Sequence, residues 1–155
     1  MTSTVFVIIP GAFHVPYHFE LVGSRLIERG HTVDILHLPS VSDSPLANVF
    51  DADVETIKSA IARHTAAGQD VVLLAHSYGG IPLTEAAFLT SEQQTNASHG
   101  AVIQLIYLCA FMLLEGESIS TASADFCLVG YPDENVSKSR PPAYRTVRFG
   151  SKTRS

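Results

Sequence analysis

Short apolar runs alternate along this chain with amphipathic stretches and turn residues. Thr4–Ile9 is a continuous apolar, β-branched run, which predicts a strand buried on both faces. Pro10-Gly11-Ala12 ends it. Phe19, Val22 and Leu26 recur at helical spacing and predict a helix that stops at Gly30. Thr32–Leu38 predicts a second strand, closed by Pro39. A Ser/Pro/Asp loop over 40–45 leads to a helix over Asp51–Ala67, with Val54, Ile57 and Ile61 on its core face. Its first turn is acidic, and Gly68 stands just past its end. Val71–Ala75 predicts a third strand, Gly80–Leu89 a helix, and Val102–Phe111 a fourth strand after a polar loop. Strands alternating with helices imply an α/β fold: a doubly wound, mostly parallel sheet of about four strands. After Gly116 the pattern decays. Ile119–Ala124 is compatible with a short helix and Phe126–Val129 with a short strand. The core is therefore expected over 1–125, followed by an irregular tail over 126–155.

Composition supports a buried globular body, with 46% hydrophobic and 16% charged residues. The net charge of -5 hides an asymmetry. All fifteen acidic side chains precede residue 138, while Lys138, Arg140, Arg145, Arg148, Lys152 and Arg154 make the end purely basic. No aromatic interleaving or binding motif accompanies these charges, so no nucleic acid partner is expected. Cys109 and Cys127 form no disulfide framework, and Cys109 reads as a small buried hydrophobe in the fourth strand. Val5–Ile9 is too short for a signal-peptide core, and no apolar run is long enough to span a membrane. A cytoplasmic protein without membrane partners is the expectation.

The candidate chemistry lies in Leu74-Ala75-His76-Ser77-Tyr78-Gly79-Gly80. A strand runs into a serine flanked two positions away by small residues, and a helix follows at once. This is a close variant of the Gly-x-Ser-x-Gly nucleophile elbow, where so sharp a turn leaves no room for larger side chains. The helix start would aim free N–H groups at the oxygen of an attacked carbonyl. Tyr78 N–H is one natural oxyanion donor. The other comes from the loop after the first strand, with Ala12 N–H as the candidate. No Gly-x-Gly-x-x-Gly, zinc-helix spacing or Cys-x-x-Cys is present, so neither a cofactor nor a metal is expected.

Pro10-Gly11-Ala12-Phe13-His14, the Glu28–Val33 junction and Leu74–Gly80 together resemble the α/β-hydrolase superfamily, most closely its small esterases and hydroxynitrile lyases of the plant methyl-esterase type. The resemblance covers residues 4–118. It implies a partial α/β-hydrolase fold, Ser77 as nucleophile, and Ala12 and Tyr78 as oxyanion donors. It further implies esterase-like acyl transfer on a small or medium carbonyl substrate. In the family the triad runs Ser, then Asp or Glu, then His, from loops after later strands. Here all seven histidines lie at or before His99.

His14 and His18, in or near the oxyanion loop, are candidates for a substrate-facing role or a substitute base. His76 is expected to pack away from the site, and Glu115, Glu117 and Asp125 to be solvated loop carboxylates. The alternative reading is a catalytically inactive, truncated fragment or interaction module, and a lyase reusing the serine is a third. Val102–Phe111 would be a long apolar edge, neither charged nor bulged, that a homodimer could cover.

Overall fold

The computed structural model describes residues 4–42, 48–91 and 100–119. The chain divides into two compact units after Met112. The first contains strand β1 (Thr4–Ile9), helix α1 (Glu20–Ile27), β2 (Thr32–Ile35), α2 (Val49–Ala66), β3 (Asp70–His76), α3 (Gly80–Ser91) and β4 (Val102–Leu108). Short 3-10 turns at Pro16–Phe19, Pro39–Val41 and Ser77–Gly79 link them. Of the second unit, only residues 113–119 are described. The short helix and strand expected over Ile119–Ala124 and Phe126–Val129 fall almost wholly outside the described residues, as does the basic tail.

The four strands form one parallel sheet in the order β2-β1-β3-β4. Period-two alternation divides each strand between two layers. Val5, Val7 and Ile9 of β1 and Val71, Leu73 and Ala75 of β3 face a core completed by Ile57, Ala60 and Ile61 of α2 and Leu83, Ala86 and Ala87 of α3. Phe6 and Ile8 are in register with Val33 and Ile35 of β2, and α1 packs on Val33 and Ile35. Helices therefore cover both faces, as a doubly wound sheet requires.

The helix boundaries follow the sequence signals. Gly30 and Gly68 adopt φ of +85° and +74°, the left-handed conformation that ends a helix most cheaply at glycine. His31 N–H then returns to Leu26 C=O at 3.1 Å, and Gln69 N–H to His64 C=O at 3.1 Å. The C-terminal turn of α2 is tied to β2 through Asp34, whose Oδ2 accepts from Arg63 and lies 2.9 Å from His64 Nε2.

Three expectations need correction. The buried face of α1 runs through Gly23 rather than Val22, which is exposed. A Cβ on Gly23 would come within 3.1 Å of Ile35 Cδ1, so the missing side chain is what lets the helix settle on β2. Cys109 is not a buried strand residue. It is exposed, with φ +44°, because β4 ends at Leu108 and the chain turns sharply there. The edge strand β4 is also bulged, since Val71 pairs with Val102 but Val72 with Gln104, which leaves Ile103 as the extra residue.

Candidate active site

β3 carries Ser77 to the carboxyl end of the sheet. Ser77 has φ +51°, a left-handed conformation that a non-glycine residue keeps only when its surroundings enforce it. The 3-10 turn Ser77–Gly79 leads directly into α3. Three contacts hold this turn. Phe111 N–H donates to Ser77 C=O at 3.0 Å. Gly79 lies so close to the end of β1 that a Cβ there would stand 2.5 Å from Pro10 O and 2.8 Å from Ile9 O. The Tyr78 phenol donates to Asp53 Oδ2 at 2.8 Å.

The loop after β1 presses on the serine. A Cβ on Gly11 would fall 2.9 Å from Ser77 Cβ and 3.0 Å from His76 Nδ1, so Ala12 follows a residue in contact with Ser77. His14 N–H closes this loop onto Gly11 C=O at 3.1 Å, around Phe13 at φ +61°. Among the described residues, the non-glycine positions with left-handed backbone are Phe13, Ser77 and Cys109. They follow β1, β3 and β4 along one edge of the sheet. The chain winds outward in opposite directions from β1 and β3, and the crevice at such a switch point is where open α/β sheets bind ligands.

Gly11 sets the loop of Ala12 and His14 against Ser77, and the His14 ring packs on His76, the residue before the serine, with His18 packed against His14. His14 Nδ1 lies 2.7 Å from Ala12 C=O. A carbonyl can only accept, so this nitrogen carries the proton and the lone pair of the neutral ring resides on Nε2. His18 Nδ1 sits between a donor and an acceptor of one residue, 3.0 Å from Val15 N–H and 3.1 Å from Val15 C=O, and either tautomer satisfies one of the two. The two rings meet edge to face, with centroids 5.1 Å apart. His76 packs between His14 and Phe19, with ring centroids 5.2 and 5.8 Å away, and so fills the space behind the loop. Phe13 and Tyr17 are 92% and 73% exposed, and the Tyr17 ring lies 6.2 Å from that of His18.

Glu115 and Glu117 are exposed, Glu117 Oε2 accepts from Leu114 N–H at 2.8 Å in a local turn, and Asp125 lies outside the described residues. Sequence reasoning missed Asp53, which is completely buried on α2. Its Oδ1 accepts from Ser40 N–H at 3.0 Å while its Oδ2 takes the Tyr78 phenol. Burial first, then the hydrogen bond and charge of Asp53, push the Tyr78 phenol well above the ordinary tyrosine range, against an opposing effect of the Ser40 hydroxyl. The signal was present in spacing, because Asp53 stands four residues before Ile57 and eight before Ile61, on the apolar face of the helix.

A shallow groove of about 240 Å³, lined by Glu20, Gly23, Ser24, Ile27, Val33 and Ile35, lies between α1 and β2 and includes none of the site residues. Among the described residues no cluster of three His, Cys, Asp or Glu side chains could hold a metal ion, and no helix is long and apolar enough to cross a membrane.

Comparison with known proteins agrees with this architecture. An alpha/beta hydrolase nvfD of Aspergillus novofumigatus is 39% identical over 120 residues, which is 77% of this chain and 48% of that protein. The chain spans about half the length of the curated relatives it matches. Among solved structures, an extracellular alpha/beta-hydrolase from a Paenibacillus species superposes with a TM-score of 0.60 at 23% identity, covering 76% of this chain and 45% of its own. A polyneuridine aldehyde esterase variant superposes with a TM-score of 0.62 at 20% identity, covering 81% and 48%. Both structures share the fold. The sequence profile of the alpha/beta hydrolase family matches residues 6–152, and with the parallel sheet, the left-handed serine and the loop pressed against it, this chain belongs to the alpha/beta hydrolase family.

Proposed function

We propose that this chain is a serine hydrolase of esterase type, acting on a small or medium carbonyl substrate at Ser77. The observation that carries the reading is the left-handed serine between a parallel strand and a helix start, with Gly11 against its Cβ. Ser77 Oγ attacks the carbonyl carbon of an ester, and its proton passes to a base. The π-electron pair moves onto the carbonyl oxygen, which the N–H groups of Ala12 and Tyr78 stabilise. Collapse expels the alcohol, which takes up the proton, and leaves an acyl-serine. Water then repeats the sequence and releases the carboxylic acid. In this reading His14 is the substitute base through Nε2, because Ala12 C=O holds its Nδ1–H as an acidic partner would. His18, whose ring meets that of His14 edge to face, faces the substrate in this reading. A cytoplasmic setting accords with the two-cysteine composition.

A second reading, an inactive interaction module, is favoured by the β4 edge. Ile103 and Leu108 are 51% and 47% exposed there, and a second copy pairing along β4 would cover them. Incubation with a fluorophosphonate probe, beside Ser77→Ala, separates the two. Labelling that vanishes in the variant supports the hydrolase, whereas a folded chain that never labels supports the module.

A further inference from the structure

Asp53 is the one charged side chain wholly buried among the described residues. Burying a carboxylate is costly unless it is well bonded, and an apolar residue at this position of α2 would be cheaper for folding alone. Its two bonds are directed. Oδ1 holds the backbone N–H of Ser40, in the turn after β2, and Oδ2 holds the phenol of Tyr78, the residue after Ser77. Helix α2 is itself fixed in the core through Ile57 and Ile61, both completely buried. The other restraints on the turn act on backbone: Phe111 N–H on Ser77 C=O, and the ends of β1 against Gly79. Asp53 adds a restraint through a side chain, on the residue whose N–H serves as oxyanion donor in the proposed mechanism. A left-handed serine keeps its conformation only while such restraints over-determine it.

We propose that Asp53 is a positioning residue: by holding the Tyr78 phenol against α2 it fixes the Ser77–Tyr78 peptide, and with it the N–H that receives the oxyanion. The inference rests on the serine hydrolase reading, and its test has one readout that does not depend on that reading. Tyr78→Phe removes only the phenol oxygen, and Asp53→Asn keeps one acceptor at the same place. The full chain and both variants are compared by backbone ¹⁵N order parameters at Ser77, Tyr78 and Gly79, and by the concentration dependence of fluorophosphonate labelling.

The expected result is a Tyr78 order parameter that falls in Tyr78→Phe from about 0.85 toward 0.6, while the core strands stay rigid. The saturating labelling rate per folded molecule falls about tenfold with half-saturation unchanged, since a displaced donor loses part of what a deleted one loses. Asp53→Asn falls less. The double variant is no slower than Tyr78→Phe, because both act through one bond. A purely structural role would lower the folded fraction and leave the rate of folded molecules as it was, which overturns the proposal. Unchanged order parameters overturn it too, whether or not the wild-type chain labels. A wild-type chain that does not label, but whose Tyr78 loosens in Tyr78→Phe, overturns the hydrolase reading while the clamp on the turn stands.

Discussion

Ser77 stays at φ +51° because its neighbours close off the alternatives, and Gly79 is among the tightest of them. A methyl group there would have to displace backbone oxygens of β1 rather than a flexible side-chain end. Gly79→Ala is therefore expected to destabilise the chain by about 3 kcal/mol, the upper range for overpacking. Urea denaturation measures this, and a loss within about 0.5 kcal/mol of zero would show that the turn is looser than described. The Tyr78 phenol leads to a second expectation, whose sign follows from linkage. Unfolded tyrosine ionises near pH 10, and burial with Asp53 raises the folded-state value. Between the two values the native state holds a proton that the unfolded state has lost. Stability from this group is intact below about pH 10 and is lost as pH rises toward the folded-state value. The denaturation midpoint of the native chain should thus fall more steeply above about pH 10 than that of Tyr78→Phe, in which Tyr107, also raised by burial, still titrates. Equal slopes would contradict the account of this bond.

At the scale of elements, the strands and helices were legible from period and terminator together: Pro10, Gly30 and Gly68 stand at or just beyond an element's end, whereas the strand expected to run to Pro39 stops at Ile35, and Pro39 opens a 3-10 turn instead. The elbow was legible because its sterics dictate small residues at fixed offsets from the serine. What escaped were features set by partners distant in sequence. Asp53 could be read as an acid near a helix start, but its bonds reach Ser40 and Tyr78, 13 and 25 positions away. The exposure of Cys109 and the bulge at Ile103 depend on where β4 meets β3, which an apolar run does not reveal. Bulges are one way natural edges discourage pairing, yet Ile103 remains apolar and half exposed. If a second copy covers this edge, light scattering should show a dimer that Ile103→Lys converts to monomer. A native chain that is monomeric throughout the micromolar range would rule that interface out.

Taken as a whole, the first unit places two loops of different origin at one crevice. The order β2-β1-β3-β4 puts β1 and β3 side by side, so the loop bearing Ala12 and His14 meets the turn bearing Ser77 and Tyr78. The chain spans about half the length of its curated relatives, and all seven of its histidines precede residue 100. In the proposed mechanism the base for Ser77, His14, is drawn from that same loop. Whether the crevice activates its serine is the central claim, and covalent labelling tests it most directly. The chain and its Ser77→Ala variant, both verified as folded by circular dichroism, are incubated with a fluorophosphonate and analysed by intact-mass spectrometry. The expected result is one added phosphonyl group on the native chain and none on the variant. A folded native chain that gains no mass, or a variant that gains as much, would contradict it.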